Sequence, residues 1–513
     1  MNAKIRQQLR KRKRKLRRRI SVEHGTWQSP MIRPASTKLE LSDRQQAVTC
    51  GGISAILPLI KTLDLRKHLN QAASVFKLHL PYDEADHILN IALNLLAGGT
   101  CLDHLEHRRN DEAFLDALGA QRIPDPTTAG DFCRRYGETD LVNVMQGINR
   151  ARQAVWKQQE ESFFDCATIE ADGTMVQTYG EKKEGIGINH KGLWGYHPLI
   201  VSLAETQEVL YLVNRSGNRP SHESSAFFFD LAIDQCRKAG FRKIVLRGDT
   251  DFSSTEHLDR WDADGVKFIL GFDANKKLTA IAENLPETAW KPIERPSPDV
   301  PKEKSRAKRA NTKEAIVVAN GYENQRLRAE SYAEFDYRPS VCGKSYRMVV
   351  VRKDIDVTSG QHFLFDTNKW LFYISNESPN EVSSREVITG ANRRCNQENT
   401  ISQGKACGAL SAPLDTLESN GAYMLFASLA WTLKIWSGMM IRVKGNENQK
   451  RVRRAARDRI IKMEFWTYMN SLMLLPAQVI RSARKRVFRL LTYRPDVDLL
   501  FTLHDHISQP LRC

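Results

Sequence analysis

The chain has 513 residues, enough for several domains and a large buried core, with 77 Lys and Arg against 60 Asp and Glu. The nine cysteines are scattered without a C-x-x-C pair, which argues against a disulfide framework and against a thiolate zinc site. No apolar run reaches the roughly 18 residues that span a bilayer, and no apolar segment follows the amino-terminal charges. We therefore expect a soluble intracellular protein.

The positive charge is concentrated at the two ends of the chain. Residues 1–20 contain eleven Lys and Arg and no acid, and residues 442–494 contain fifteen Lys and Arg with three acids. So dense a run is typical either of a solvated tail or of a segment that binds nucleic acid. Since the middle of the chain is mildly acidic, we predict that the flanks bind a polyanion and that the centre holds cations.

A basic arm at residues 1–30 precedes a helical region at 31–155. Within this region, Ala85–Leu96 has an apolar stripe that ends at a Gly-Gly pair, and the sequence from Pro124 predicts a helix over Ala129–Tyr136 with Thr as its N-cap. Arg134 and Arg135 lie on that helix. A recognition helix that contacts DNA and a plain helical domain with surface arginines both fit this pattern.

From Ser162 the pattern changes to strands, and we assign residues 156–271 to the first part of a mixed α/β sheet. The predicted elements are strands at Phe163–Ile169, Tyr196–Leu203, Val209–Val213, Lys243–Leu246 and Val266–Gly271, with a helix over Ser224–Ala239. Asp172 closely follows the first strand and Asp249 follows the fourth. In such sheets functional groups collect at the carboxyl ends of strands, so both acids are candidates.

Residues 272–368 are predicted to form a β-rich insertion that interrupts the sheet. Its predicted strands are Ile316–Val318, Gln325–Leu327, Glu334–Tyr337 and Tyr346–Val351, and they follow a Pro-rich stretch and a Lys/Arg run. Trp370–Ile374 should return to the main sheet as part of a second core segment, 369–445, which ends with an apolar helix over Tyr423–Ile441. A basic helical region, 446–513, completes the chain.

One helix, starting near Glu381, is predicted to carry Arg394, Glu398 and Lys405 on a single face, because they are spaced four and seven residues apart. A carboxylate flanked by two long cations suits a site that holds a metal and a phosphate. A solvated helix face with one ion pair explains the same spacing.

Asp172, Asp249 and Glu398 together fit a metal site, although each acid alone is typical of a turn or a helix cap. Hard cations such as Mg²⁺ prefer oxygen ligands, and two ions about 3.5–4 Å apart can activate a hydroxyl and stabilise a leaving oxygen. Asp251 would share a face with Asp249 if the strand continued, so it is an alternative ligand. Glu170 shares the face of Asp172, in either a supporting or a purely structural role.

Four motifs follow one another in a fixed order: A-D-G-T at 171–174, Y-H-P-L-I-V-S-L-A with L-V-N-R-S-G-N-R-P-S-H-E at 196–223, L-R-G-D-T-D-F at 246–252, and R-C-N-Q-E-N at 394–399. In this order they resemble the DDE transposases of bacterial insertion sequences, in particular the family numbered thirteen-eighty. The resemblance runs from about Arg33 to Lys434. It implies an α/β RNase H-like core split by a β-rich insertion, an all-helical amino-terminal domain, and Asp172, Asp249 and Glu398 as catalytic and metal-binding acids.

The broader group to which this family is related has a Tyr-Arg-Glu-Lys signature on its last core helix. Arg394, Glu398 and Lys405 fall at that spacing, but Ala391 stands where the Tyr would be. The resemblance implies two Mg²⁺ or Mn²⁺ ions and contacts of Arg394 and Lys405 with DNA phosphates. For Arg215 and Arg219, either DNA binding or a structured turn accounts for the sequence.

The resulting functional hypothesis is a DNA transposase that binds the terminal inverted repeats of its element. It would cleave double-stranded DNA at the ends and join the 3′-hydroxyls to target DNA, as a homodimer in a synaptic complex. We expect a cytoplasmic, nucleoid-associated protein with no membrane partner. The alternatives are a catalytically inactive, transposase-derived DNA-binding repressor and a structure-selective nuclease.

Overall fold

A computed structural model of the chain describes residues 3–21, 37, 39, 45–253, 255–294, 312–359, 362–482 and 485–511. The Lys/Arg run of the insertion, which precedes residue 312, lies outside the described residues. Within the described ranges, no helix combines the length and the apolar character needed to cross a bilayer.

The amino-terminal region is helical, as predicted. Its elements are α1 (Ala3–Ile20), a two-residue strand β1 (Ala47–Val48), α2 (Ile53–Thr62), α3 (Leu65–Ala72), α4 (Glu84–Leu96), α5 (Leu105–Arg109), α6 (Glu112–Leu118), α7 (Pro126–Cys133) and α8 (Glu138–Trp156). Local capping determines where several helices start. At α7 the cap is Asp125, which accepts a hydrogen bond from the Thr128 amide, so the predicted Thr cap is wrong by a few residues.

A nine-stranded mixed sheet forms the centre of the protein, which confirms the predicted α/β class. The strands after β1 are β2 (Cys166–Gly173), β3 (Val176–Gln177), β4 (Gly187–Ile188), β5 (Trp194–Tyr196), β6 (Leu199–Leu203), β7 (Glu208–Val213), β8 (Lys243–Gly248), β9 (Lys267–Phe272), β10 (Lys291–Pro292), β11 (Glu323–Tyr337), β12 (Tyr346–Ser359) and β13 (His362–Ser375). The strand order is β10-β11-β12-β13-β9-β8-β2-β6-β7, and β3, β5 and β4 form a separate small sheet. Strand β8 lies parallel to both β2 and β9, whereas all other neighbours in the large sheet are antiparallel.

Helices accompany this sheet: α9 (Ser225–Ala239), α10 (Leu258–Ala263), α11 (Lys276–Glu283), α12 (Thr312–Ala319), α13 (Ser384–Asn392), α14 (Cys395–Ala406) and α15 (Leu417–Met439). Helix α15 is buried from Ser419 to Met439 and packs against α4, α8, α16 (Glu447–Lys462) and β7. A helix that is apolar on all sides needs such complete coverage. The predicted role of this helix in core packing is therefore confirmed.

The β-rich insertion continues the main sheet and does not form a separate unit beside it. Strand β12 pairs with β13 along its length, and Phe372–Ser375 of β13 pair with β9, as expected for the return to the core. The strands predicted at Gln325–Leu327 and Glu334–Tyr337 belong to one strand, β11. The strand predicted at Ile316–Val318 is wrong, because these residues lie in α12; so short an apolar run does not distinguish strand from helix.

The carboxy-terminal region is not entirely helical, which corrects the prediction. Besides α16, it contains α17 (Phe465–Tyr468), β14 (Ala477–Ser482), β15 (Lys485–Leu490) and α18 (Val497–Ile507). Strands β14 and β15 form an antiparallel hairpin, and β1 pairs with β14. The high Lys/Arg content of this segment obscured the short alternating pattern of the two strands.

Candidate active site

Asp172 and Asp249 lie side by side at the carboxyl ends of two parallel strands. In the register of β2 and β8, Glu170 is paired with Arg247, so each Asp is two residues beyond a matched pair. Neighbouring strands are about 4.8 Å apart, so this register brings together two acids that are 77 positions apart in the sequence. Asp249 also begins a short 3-10 turn, where its Oδ1 accepts a hydrogen bond from the Asp251 amide at 3.1 Å.

Arg394 joins the two acids. Its Nη2 donates to Asp249 Oδ2 at 3.1 Å and lies 3.6 Å from Asp172 Oδ2. Its Nε is buried without a hydrogen-bond partner among the described residues. The predicted continuous helix through this region is wrong, because α13 ends at Asn392 and α14 begins at Cys395, which leaves Arg394 at the N-cap of α14.

The electrostatics of the site reflect crowded, partly buried carboxylates. Burial raises the pKa of Asp172 to about 7; the Arg394 guanidinium opposes this shift, whereas the charges of Asp249 and Glu398 add to it. Burial likewise raises the pKa of Asp249, again opposed by Arg394. Concentrated negative charge with one cation at its centre favours the binding of further cations.

Glu398 and Lys405 extend this site along α14. Glu398 is exposed and close enough to Asp172 to affect the pKa of that carboxyl. Burial lowers the pKa of the Lys405 ammonium, an effect that the charge of Asp172 opposes. Glu398 and Lys405 of α14 therefore lie close enough to Asp172 for their charges to interact.

The residue types present fit a hard divalent cation, because Asp172, Asp249 and Glu398 offer only carboxylate oxygens. Burial raises the pKa of both Asp side chains, and a bound cation would favour their ionised form. Among the described residues, no group of three or more His, Cys, Asp or Glu is arranged closely enough to hold a metal ion. Two acids are thus paired, and Glu398 stands apart from them.

Two buried polar contacts that the sequence did not predict position the site. Arg247 forms an ion pair with Glu170 and donates from Nη1 to the Gly390 carbonyl at 2.9 Å, which links β2, β8 and α13. Gln397 donates from Nε2 to the carbonyl of Ile200 at 2.9 Å, opposite Asp172 in the β2–β6 register. Arg247 belongs to the motif L-R-G-D and Gln397 to the motif N-Q-E-N, and membership in these motifs was the only sequence feature that pointed to them.

The two arginines of the β7–α9 loop have different surroundings. Arg215 is buried, and its guanidinium donates to the carbonyls of His197, Pro220, Ser221 and Glu223 at 2.7–3.1 Å. These contacts fit the structured turn that the sequence left open as one of two roles for Arg215, and its role in DNA binding stays a prediction. Arg219 is exposed and lies 3.4 Å from Glu223.

Asp251, the alternative ligand, is exposed and does not contact Arg394 among the contacts of the described residues. Because the chain enters a 3-10 turn directly after Asp249, the two acids are not on one continuing strand face. The geometry favours Asp249 as the partner of Asp172.

A family profile described as the transposase DDE domain, group 1, matches residues 45–511. The chain belongs to this family. The matched range contains Asp172, Asp249 and Glu398. A search of curated proteins gave no match to the DDE-domain chain.

Among solved structures, a cryo-EM structure of the piggyBac transposase synaptic complex with hairpin DNA is similar to this DDE-domain chain. The alignment covers 91% of this chain and 86% of the other, with 10% sequence identity and a TM-score of 0.35.

Proposed function

We propose that this protein is the transposase of an insertion sequence of the family numbered thirteen-eighty. It would bind the terminal inverted repeats, cleave the DNA at both ends of the element, and join the freed 3′-hydroxyls to target DNA. The observation that carries the proposal is the contact of one guanidinium nitrogen of Arg394 with the carboxylates of both Asp172 and Asp249. Membership in the transposase DDE domain family supports it.

Asp172 and Asp249 would hold the metal ions, and Glu398 would complete the set from α14. When bound there, Mg²⁺ or Mn²⁺ would activate a hydroxyl nucleophile and stabilise the leaving oxygen of a phosphodiester. Arg394 and Lys405 would bind the phosphates beside the scissile bond and keep the backbone in line for attack.

Two element ends must be handled together, so we propose a homodimer in the synaptic complex, with inverted-repeat and target DNA as partners. The cellular site of such a reaction is the bacterial cytoplasm, at the nucleoid. A repressor without catalysis is the competing function, since it would share the DNA-binding surfaces but would not need closely spaced acids at the strand ends.

The test is cleavage of a labelled duplex that carries the element's own inverted repeat, with Mg²⁺, by wild type, Asp249→Asn and Asp251→Asn. We expect wild type and Asp251→Asn to cut at the element end, and Asp249→Asn to lose at least about 100-fold in rate while still binding the duplex. Binding without metal-dependent cleavage by wild type would favour the repressor. Loss of cleavage only in Asp251→Asn would move the metal ligand to that residue.

A further inference from the structure

Helix α1 has one apolar stripe within an otherwise basic surface. The apolar residues are Ile5, Leu9 and Leu16, and Arg12 lies on the same face, because the four positions are spaced four, three and four residues apart. Leu9 is buried at 9% exposure, and Ile5 packs against the main core, whereas Leu16 is partly exposed. The helix is therefore docked on the body of the protein through this face.

Arg12 fixes the position of that docked helix. Its Nη1 donates to the carbonyl of Leu490 at 2.7 Å and to that of Thr492 at 3.3 Å. Leu490 is the last residue of β15, so the contact joins the amino-terminal helix to the carboxy-terminal hairpin across 478 positions of sequence. The two basic ends of the chain are neighbours in space.

The remaining cations of α1 repel one another. Arg6, Arg10, Arg14 and Arg18 succeed each other at intervals of four residues, a spacing at which like charges destabilise a helix. All four side chains are exposed, and none has an acidic partner within the described part of the chain. The phosphates of a bound polyanion would relieve this repulsion.

The neighbouring hairpin presents cations on its outer face. Along β15, Lys485, Val487 and Arg489 alternate with Arg486 and Phe488, and the first three are exposed. A two-stranded ribbon of this kind fits against duplex DNA, either in the major groove or along the phosphates. By its length of 18 residues, α1 extends about 27 Å, the length of about eight base pairs.

We propose that α1 and the β14–β15 hairpin form one duplex-DNA-binding surface, with Arg12 as the positioning residue that joins its two halves. The surface binds the phosphate backbone through charge and without base readout, and it serves the transposase function proposed above, on which this inference rests. It differs from two independent basic arms because the contribution of α1 depends on its docking to β15.

The experiment compares Arg12→Ala with Arg14→Ala in the full-length protein. Both changes remove one charge from α1, but Arg14 lies about 200° around the helix from Arg12 and makes no contact with β15 in the described structure. Binding to a 30-base-pair duplex of arbitrary sequence is measured by fluorescence anisotropy in EDTA over a series of salt concentrations. Hydrogen exchange of the α1 amides is measured on the same proteins without DNA.

For Arg14→Ala we expect the salt slope, log K against log salt, to fall by about one, as for a single lost phosphate contact. For Arg12→Ala we expect a fall of two or more, an affinity about tenfold below that of Arg14→Ala, and faster exchange along α1. Equal effects of the two variants, or unchanged exchange in Arg12→Ala, would overturn the inference alone. Absence of DNA binding by wild type would overturn the proposed function as well.

Discussion

Arg247 and Glu170 form a buried ion pair one step below the catalytic candidates, with Arg247 Nη2 2.5 Å from Glu170 Oε1 and side-chain exposures of 8% and 1%. Each residue lies two positions before one of the paired acids, and Arg247 also donates to the Gly390 carbonyl on α13. The pair therefore connects the strands that carry Asp172 and Asp249 to the helix that leads to Arg394.

Replacing Arg247 by Leu should lower the free energy of unfolding by about 3 kcal/mol, because a buried carboxylate then lacks its counter-charge. The double variant Arg247→Leu with Glu170→Leu should recover part of that loss, since no buried charge remains. Urea unfolding followed by circular dichroism measures both. A single variant as stable as wild type would contradict the structural role of the pair.

The second prediction concerns Asp172, whose folded-state pKa of about 7 lies above its ordinary value of 3.8. A carboxyl with a raised pKa favours the folded state while it is protonated, so its stabilising contribution is lost as pH rises from about 4 through 7. Asp172→Asn should therefore be more stable than wild type at pH 8 by at least about 1 kcal/mol, and little different at pH 4. Thermal unfolding at the two pH values measures the difference, and Asp251→Asn is the matched control.

The third prediction concerns Arg394 and the pKa values of the two acids that it contacts. Because its charge opposes the rise in the pKa of both acids, Arg394→Gln should raise these pKa values further. Since metal ligation requires the ionised carboxylate, the pH midpoint of Mn²⁺ binding should move upward by about one unit or more relative to wild type. Electron paramagnetic resonance of free Mn²⁺ across pH 6–9 gives the midpoint directly; the same midpoint in both proteins would rule out this coupling.

Arg215 and Arg219 provide a matched pair for separating structure from DNA contact. Arg215→Ala removes four hydrogen bonds to backbone carbonyls, so it should lower the melting temperature by several degrees. Arg219→Ala should leave the melting temperature unchanged. If Arg219 binds a phosphate, Arg219→Ala should reduce the salt slope of DNA binding by about one. A lower melting temperature for Arg219→Ala together with an unchanged melting temperature for Arg215→Ala would contradict the geometry.

Glu208 joins the helical region to the sheet and to α15. Its carboxylate accepts hydrogen bonds from Arg152, Trp156, Trp436 and Thr206 at 2.7–3.0 Å, and both Glu208 and Arg152 are fully buried. Glu208→Ala should cost about 3–5 kcal/mol because it leaves the Arg152 charge and three further donors without this partner. Differential scanning calorimetry measures the loss, with the exposed Glu418→Ala as control.

Local patterns were sufficient for several elements of the main sheet. The strands at Val209–Val213 and Lys243–Leu246 and the helix at Ser224–Ala239 lie in β7, β8 and α9 with shifts of one or two residues at most. Period and turn chemistry are local properties, so the sequence carries them. The same local information failed at Ile316–Val318, where a three-residue apolar run does not define a period.

The sequence predicted one helix around Arg394, whereas the structure has two, α13 and α14. The break between Asn392 and Cys395 has no Pro or Gly to announce it, since Gly390 lies within α13. Contacts with the sheet, including those of Arg394 and Gln397, accompany the break. These partners are about 145 and 197 positions away in sequence, beyond the reach of any helical period.

The sequence by itself determined the mixed α/β class, the basic ends, and Asp172, Asp249 and Glu398 as the acids to consider, because strand ends, charge runs and motif order are written in consecutive residues. Only the tertiary structure decided that Arg394 bridges the two Asp residues, that Arg215 is buried in a turn, and that α1 docks on β15 through Arg12. These facts depend on strand register and long-range packing, in which the partner of a side chain is selected by the whole fold and not by its neighbours in the chain.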